Sequence, residues 1–447
     1  MSYLLVNGRV VDPGRGIDSQ LDIRLAEHVI EEVDEGLAAT RQDVVIDLSG
    51  LTVVPGIIDS HVHLSGSYVG RDLHRGHRML ARAGVTAAMD LAADGSELIG
   101  RSREHGAGLS VGFLVPAVPD ETLPADASRS DIEHFLDGAA AEGAMGAKLL
   151  GGHYPLSPET MDSIIAECDS RGLYVAIHAG STTTGSNIEG VVEAIDIAAG
   201  RPIHLAHINS YCRGQINPDI IAECVVALNA LKAAHGVRSE SYLSRYNGCS
   251  AEYVLDEPKS EVLRACLVKG GYPTTRAGML RAIKDGWANI HVPDDGQRTV
   301  LASGESGVSA FRDADSDVGV SFPVNDPLSI TMCALARRPD GAFVVDALST
   351  DGGGVPRNTL VEQGLALVRS GMLTFEDFVS KASVNPAKML GWSNKGRIAA
   401  GADGDLTVLD VADGRAAMAF ARGQMIMHRG DVLGAGMHLM SAASSAE

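Results

Sequence analysis

Residues 55–64 read PGIIDSHVHL, and this stretch decides the fold. The segment from Ile57 to Leu64 predicts a buried strand that ends in the pair His61 and His63. Side chains two residues apart in a strand point to the same face. We therefore expect both imidazoles to point inward together at the end of this strand, at the edge where parallel α/β folds carry catalytic groups.

Seven further apolar segments follow, separated by helical stretches. They are Val85 to Leu91, Leu109 to Val115, Ala147 to Leu150, Leu173 to His178, Ile203 to Ile208, Val237 to Leu243 and Phe343 to Thr350. Helices are predicted at Arg75 to Ala83, Ser130 to Glu142, Pro158 to Arg171 and Glu189 to Ala199, the second opened by a capping box from Ser130 to Glu133. This alternation predicts an α/β fold, a (β/α)8 TIM barrel over residues 56–250 plus 346–395.

Two other units complete the expected organisation. Residues 1–55 and 396–447 read as short strands and turns, with Asn7-Gly8 as a hairpin turn, and together predict one small β-sandwich domain. About 100 residues separate the seventh strand from the eighth, so residues 251–345 are predicted to be an insertion. Because loops at the carboxyl ends of barrel strands form lids, we expect this insertion to cover the site.

Composition narrows the class of protein. The chain has 447 residues, with 37 Lys and Arg against 57 Asp and Glu, a net charge of −20. With no basic block, nucleic acid and anionic membranes are not expected partners. No apolar stretch approaches the length of a membrane span, so a cytoplasmic protein is expected. The six cysteines lack a C-x-x-C pair and are interpreted as reduced packing thiols: Cys168, Cys212, Cys224, Cys249, Cys266 and Cys333.

Other strand ends carry the groups that a metal site needs. Lys148, His178 and His207 end the fourth, fifth and sixth strands, and Asp351 follows the eighth. Imidazole and carboxylate ligands without thiolate suit a catalytic Zn²⁺ site. An unpaired ammonium is costly to bury, whereas a lysine carboxylated by CO₂ is an anion that can bridge two metals. His204 is three residues before His207 and is interpreted as packing.

Further motifs extend across the chain. VPGIID (54–59) leads into His-x-His, and NPAKMLG (385–391) is followed by KGRI (395–398) and GADGDL (401–406). Together they resemble the amidohydrolase superfamily of metal-dependent hydrolases, which implies a TIM barrel with a strand-rich domain from both chain ends. The resemblance implies that His61 and His63 bind the more buried of two Zn²⁺ or other divalent ions. It further implies that His178 and His207 bind the more exposed ion, that carboxylated Lys148 bridges, and that Asp351 completes the buried site.

Within this superfamily the similarities are divided. The bridging lysine resembles hydantoinases, dihydroorotases and isoaspartyl dipeptidases. Residues 239–243 (SESYL) and the insertion resemble D-aminoacylases, but the metal-ligating cysteine of that branch is absent from the second strand. Hydantoinases carry a tyrosine five residues after the lysine, where this chain has His153 followed by Tyr154. Either side chain is a candidate for stabilising the oxyanion.

The expected activity is hydrolysis of the C–N bond of a small cyclic amide (hydantoin, lactam or imide) by a metal-bridged hydroxide, with Asp351 transferring the proton. An N-acyl amino acid deacylase or an isoaspartyl-dipeptidase-like hydrolase is the alternative. A deaminase is disfavoured because aromatic residues are few, and a non-catalytic scaffold because every ligand position is filled. Four arginines near the rim are candidates to clamp a substrate carboxylate: Arg213, Arg245, Arg276 and Arg357. Arg245, Arg276 and Tyr242 are predicted to bind substrate, and the resemblance implies a homo-oligomer, a dimer or a tetramer.

Overall fold

The computed structural model describes residues 2–66, 74–294 and 297–441. The last residues of the expected β domain, 442–447, and residues 295–296 of the expected insertion lie outside this set. The described chain is a mixed α/β structure. None of its helices combines the length and the apolar character needed to cross a membrane.

Strands from both chain ends share one nine-stranded sheet. They are Ser2–Asp12, Ile17–Ala26, Val29–Asp34, Asp43–Asp47, Thr52–Pro55, Leu406–Asp410, Arg415–Ala421, Gln424–His428 and Asp431–Val432. The strand Leu406–Asp410 joins the two ends by pairing antiparallel with Thr52–Pro55. Leu5, Val53 and Phe420 contribute to a buried core that this sheet forms together with loop residues such as Ile398.

The parallel strands form two hydrogen-bonded arcs. In spatial order, the first arc contains Gly352–Gly353, Ile57–His63, Val85–Asp90, Ala107–Phe113 and Gly436–Leu439. The second contains Ala347–Ser349, Val237–Tyr242, Ile203–Leu205, Tyr174–His178, Gly146–Leu150 and Val115–Ala117. The arcs meet where the amide of Asp351 donates to the carbonyl of His61 (2.9 Å) and, at the other side, where Met145 N donates to Phe113 O (2.8 Å).

Helices alternate with these strands along the chain. They span Gly76–Arg82, Gly95–His105, Arg129–Ala141, Pro158–Arg171, Ile188–Ala198, Ile220–Ala233, Pro327–Leu335, Leu360–Arg369, Phe375–Val379 and Asn385–Leu390, with a 3₁₀ turn at Ile208–Tyr211 and a π-helical turn at Ser380–Val384. Two apolar cores pack the strands against these helices.

Three local expectations differ from the structure. Asn7-Gly8 is not a hairpin turn but a bulge inside one strand, where Asn7 adopts φ +62° and its amide is held by Asp22. The capping box lies two residues earlier than predicted, between Ser128 and Asp131, so the helix begins at Arg129. The third strand is interrupted after Phe113, and the last described strand, Gly436–Leu439, pairs beside it instead of joining the nine-stranded sheet.

The long segment between the seventh and eighth predicted strands folds around a core of its own. Its antiparallel sheet has the order Asn247–Ser250, Gly319–Phe322, Asn289–Asp294 and Arg298–Ala302, accompanied by helices Glu261–Lys269, Arg276–Lys284 and Gly304–Asp313 and a ribbon of Tyr253–Val254 with Glu257–Pro258. Leu263, Ile283 and Phe322 lie in the buried cluster that these elements enclose.

A buried lysine ties the carboxyl-terminal sheet to the parallel strands. Lys395 Nζ donates to Asp403 (2.8 Å), Asp405 (2.7 Å) and the hydroxyl of Ser110 (3.1 Å). Burial opposes its charge, but the two carboxylates raise the pKa of Lys395 above its ordinary value. Lys395 begins the KGRI motif and its partners lie in GADGDL, so this ion pair explains why the two motifs occur together.

Replacing this lysine is expected to destabilise the fold strongly. The change Lys395→Met leaves the carboxylates of Asp403 and Asp405 without their cation, and breaking a buried pair in this way costs about 3–5 kcal/mol of the free energy of unfolding. Urea denaturation measures the loss. Lys388→Met, at an exposed position, is the control and should change the free energy by less than about 0.5 kcal/mol. Equal effects of the two changes would contradict the assigned role of Lys395.

Candidate metal centre

The six residues predicted at strand ends line the floor of one cavity of about 610 Å³. They are His61, His63, Lys148, His178, His207 and Asp351. His61, His63 and His178 lie at the carboxyl ends of their strands, and His207 and Asp351 lie two residues after theirs. Lys148 is the middle residue of strand Gly146–Leu150 and does not end that strand as predicted. The structure thus brings these six side chains to one cavity.

Distances define a tight cluster within this set. Possible ligand atoms of His61, His207 and Asp351 all lie within 4.8 Å of one another. His63 Nε2 lies 2.9 Å from Asp351 Oδ1. The rings of His178 and His207 are perpendicular, with centroids 4.6 Å apart. This mixed imidazole and carboxylate set can hold a divalent metal ion.

Lys148 is the unusual member of the cluster. Its side chain is fully buried, and its Nζ has no hydrogen-bond partner among the described residues. Burial lowers the pKa of Lys148 to about 8, against the raising effect of Glu240 and Asp351. A neutral amine is the form that reacts with CO₂. A buried nitrogen without a protein partner also fits a lysine whose carboxylated form binds metal. The residues present therefore fit a metal pair with a lysine bridge.

Neighbouring groups orient the imidazoles. Glu240 lies 2.7 Å from His61 Nδ1, which leaves Nε2 of that ring facing Asp351. The Ser210 hydroxyl lies 2.7 Å from His207 Nδ1, and the Ser186 hydroxyl lies 2.7 Å from His178 Nε2. Such contacts set the tautomer and direction of a ligating ring.

Asp351 is held as a charged carboxylate. Burial alone would raise its pKa, but the Arg357 guanidinium, 2.6 Å away, and the adjacent histidines hold the pKa of Asp351 well below its ordinary value. Arg357 also donates to the backbone oxygens of Asp351 and Tyr246 and lies over the Tyr242 ring. Arg357 therefore holds Asp351 by both its carboxylate and its backbone oxygen, and is itself held by Tyr246 and Tyr242.

Two residues of the cluster have left-handed backbone conformations. His207 has φ +36° and Asp351 has φ +50°. Residues other than glycine pay a steric cost in this region, and such conformations concentrate at functional sites. Here each turn directs the side chain from a strand end across the cavity floor.

The two candidates for oxyanion stabilisation separate in space. His153 lines the cavity, with its ring centroid 5.5 Å from that of His178. Tyr154 does not line it and packs instead against Ala92, Val118 and Leu150. The structure therefore leaves His153 as the candidate and corrects the expectation for Tyr154. The cause is the turn that follows the Lys148 strand, which sends consecutive side chains in different directions.

Only some of the residues considered for substrate binding lie at the cavity. Tyr242 and two arginines, Arg213 and Arg357, line the cavity, whereas Arg245 and Arg276 do not. Arg276 donates instead to the backbone carbonyls of Leu255 and Tyr253, which lie 21 and 23 residues earlier in the chain. Arg245 is exposed. The expectation for Arg245 and Arg276 is corrected because both side chains belong to the outer part of the molecule.

The long inserted segment supplies one wall of the cavity. Helix Glu261–Lys269 contributes Glu261, Val262, Ala265, Cys266 and Lys269. Lys269 Nζ donates to the carbonyl of Arg213, and its charge also interacts with the Arg213 guanidinium, so two cations lie close together at this wall. On the opposite side, Gly152 lies against His178, where an added Cβ would come within 2.2 Å of Nε2.

Sequence reasoning did not assign two buried carboxylates that organise the site. Glu240 contacts His61, accepts from the amide of His207 (2.7 Å) and from the Ser349 hydroxyl, and lies 3.7 Å from His204. Asp59 accepts from Thr350 N (3.0 Å), and burial raises its pKa to about 7. Asp59 follows two isoleucines in its strand, and an acidic residue at such a position is a signal that could have identified it, whereas Glu240 lies in the polar run VRSESY (237–242), which offers no such signal.

Removing the charge of Glu240 is expected to weaken metal binding. In Glu240→Gln, His61 loses the carboxylate that sets its tautomer, and metal affinity should fall about 10–100-fold. Competition with a zinc chelator measures the affinity. Glu223→Gln is a matched control, because Glu223 is equally buried but binds the amides of Gly214, Ile216 and Asn217. Unchanged affinity in Glu240→Gln would contradict the orienting role.

Comparison with known proteins places this site in a family. The sequence model of the amidohydrolase family matches residues 52–432. A dihydroorotase from Citrifermentans bemidjiense is 25% identical over 92% of this chain and 90% of its own length. One from Syntrophus aciditrophicus is 26% identical, again over 92% of this chain and 90% of its own length.

Solved structures have a similar fold. Dihydropyrimidinase from Brevibacillus agri superimposes with a TM-score of 0.66 and 16% identity over 98% of both chains. A D-aminoacylase mutant superimposes with a TM-score of 0.67 and 16% identity, over 98% of this chain and 99% of that one. The family match covers most of the chain and includes every residue of the cavity floor. The chain therefore belongs to the amidohydrolase family.

Proposed function

We propose that this protein is a binuclear zinc hydrolase that opens a small cyclic amide of the hydantoin, lactam or imide type. The observation that carries the proposal is Lys148 Nζ, which has no hydrogen-bond partner in the described part of the chain and lies among four histidines and Asp351 on the cavity floor. The dihydroorotases and hydantoinases among the similar proteins support the substrate class. The proposed scaffold is a (β/α)8 barrel of the two parallel arcs, with residues 1–55 plus 396–447 and 251–345 as separate units.

The residues of the floor divide into three roles. His61, His63 and Asp351 would hold one Zn²⁺ and His178 and His207 the other, with carboxylated Lys148 between them. Metal ions bound there supply a water-derived nucleophile at neutral pH and polarise the amide carbonyl. A D-aminoacylase among the similar structures is described as having a binuclear metal centre.

Asp351 is the proposed proton carrier. Its low pKa makes it a charged acceptor at neutral pH, and its Oδ1 faces both His61 and His63. It would take a proton from the attacking water and deliver it to the leaving nitrogen. His153 would donate to the oxygen of the substrate carbonyl as charge develops there.

The wall of the cavity favours a substrate that carries negative charge. Arg213 donates to Asn325 Oδ1 (2.7 Å) and to the Tyr242 hydroxyl (3.1 Å), which fixes the guanidinium at the cavity. Lys269 lies beside it. We propose that these two cations and Tyr242 bind a carboxylate or an imide oxygen of the substrate.

A substrate panel tests the proposal. The protein is loaded with Zn²⁺ in bicarbonate and incubated with dihydroorotate, dihydrouracil, substituted hydantoins, lactams and cyclic imides, and ring opening is followed by NMR. We expect turnover of at least one ring that is absent in the Asp351→Asn control. No ring opening in the panel by protein with two zinc ions per chain would refute the cyclic-amide assignment.

The second candidate is an N-acyl amino acid deacylase, favoured by the cationic wall that the inserted segment supplies and by the D-aminoacylases among the similar structures. N-acetyl amino acids of both configurations therefore belong in the same panel. Acetate release without any ring opening would select this function instead.

A further inference from the structure

Three of the six cysteines meet in a second cluster outside the cavity. Sulfur atoms of Cys212, Cys224 and Cys333 all lie within 4.8 Å of one another. All three side chains are fully buried, and none of them lines the cavity. The sequence interpretation of scattered packing thiols did not anticipate this meeting, since 109 residues separate Cys224 from Cys333 in the chain.

The cluster joins three separate elements. Cys212 follows the 3₁₀ turn Ile208–Tyr211, which begins directly after His207. Cys224 lies on helix Ile220–Ala233, and Cys333 lies on helix Pro327–Leu335, which packs against it. The three thiols are free rather than joined by disulfides.

The spacing suits coordination to one ion. Thiolate sulfurs that share an ion at about 2.3 Å lie about 4 Å from one another, which is inside the observed limit. Cysteine thiolates select soft or borderline cations such as Zn²⁺ and its heavier congener Cd²⁺. Alkyl or hydroxyl side chains could fill the same volume, but they would not bind such cations.

A buried cation lies next to the cluster. Lys381 is fully buried and donates to the carbonyls of Ala334 (2.9 Å) and Val345 (2.8 Å). Ala334 is the neighbour of Cys333 in the chain, and the ammonium and the thiol interact electrostatically. The other charged groups that interact with Lys381 are the carboxylates of Asp346 and Asp377 and the guanidinium of Arg337.

The ammonium of Lys381 would offset charge at such a site. Three thiolates and one divalent cation carry a net charge of −1, and the Lys381 ammonium carries +1. A buried charge without a nearby counter-charge is costly, and the ammonium supplies one here.

We propose that Cys212, Cys224 and Cys333 form a metal site for a thiophilic divalent cation, separate from the catalytic centre. On binding, the three thiols release three protons to solvent and form three metal–sulfur bonds, with no change of oxidation state. The ion ties the segment after His207, including the cavity-lining Arg213, to two helices of the surrounding layer. This proposal does not depend on the proposed hydrolase function.

Cadmium is the probe, because a cadmium–thiolate bond has its own ultraviolet charge-transfer absorption and the catalytic floor contains no thiol. Since the site is buried, the protein is produced in medium that contains Cd²⁺ and is then washed with chelator. We expect the charge-transfer band in the wild type. Cys333→Ser and Cys333→Ala should lose the band and one cadmium per chain, while circular dichroism reports that they remain folded.

Two matched controls isolate the cluster. Cys168→Ser removes a buried thiol from helix Pro158–Arg171, and Cys266→Ser removes the thiol that lines the catalytic cavity; both should keep the band. Three outcomes would overturn the proposal. They are a folded wild type without the band, a band that survives both changes at Cys333, and fewer than six titratable thiols in the denatured, metal-free protein, which would indicate a disulfide.

Discussion

Changing Asp351 to asparagine is expected to lower kcat by about 10²–10⁴-fold, the usual contribution of a positioned general acid and base. Asparagine keeps the size of the side chain and can still contact Arg357, but it cannot accept a proton from water or return one to nitrogen. Steady-state kinetics on the ring identified by the substrate panel measure the effect. KM should change much less than kcat, because the side chain acts on the reacting atoms and not on substrate binding.

A matched substitution controls for the loss of a buried charge. Asp346 is a largely buried carboxylate that accepts from the amide of Ser239 (2.9 Å), outside the cavity. Asp346→Asn should therefore retain kcat within a few-fold. If Asp351→Asn kept wild-type kcat with its zinc content unchanged, another group would have to carry the proton.

Lys148→Ala is expected to abolish the metal pair and, with it, nearly all turnover. The substitution removes the only side chain on the floor that can become a bridging carbamate, so bound zinc should fall from two ions per chain to one or none. Elemental analysis of both proteins, produced with added zinc and bicarbonate, measures this. Carbon-13 NMR after exposure of the wild type to labelled bicarbonate should show one carbamate signal that Lys148→Ala lacks.

The same experiment has an outcome that argues against the bridge. One zinc ion in both proteins would mean that Lys148 does not link two metals, and the assignment would move to a mononuclear deacylase or deaminase. Lys388→Met, on the exposed surface, should keep both ions. It controls for zinc lost during preparation of a variant protein.

The sequence was most informative where the direction of a side chain follows from its position in a strand. His61 and His63 share a face because strands have a period of two, and His178 and His207 could be placed because each ends an apolar run. Lys148 could be placed because it is a lone cation inside the apolar run of residues 146–150. Glu240, which orients His61, was not assigned, because nothing local distinguishes a structural carboxylate in a strand from a catalytic one.

Loops and distant contacts limited the rest. Whether His153 or Tyr154 faces the cavity depends on one turn, and the position of Arg276 depends on carbonyls that the folded insertion brings to it. Asn7-Gly8 has the composition of a hairpin turn, yet the strand continues through a bulge because Asp22 of the neighbouring strand binds the Asn7 amide. Such outcomes are decided by tertiary contacts, which residue patterns do not contain.

The left-handed backbone at His207 and Asp351 has an evolutionary consequence. Glycine at either position would relieve a steric cost of about 1–2 kcal/mol, but it would remove a ligand and, at Asp351, also leave the buried Arg357 without its anion. The left-handed conformation is therefore a cost that the fold bears for the sake of two side chains. In a duplicated gene that no longer needs the activity, nothing requires those side chains, so glycine there would mark a lineage that has kept the fold and abandoned the chemistry.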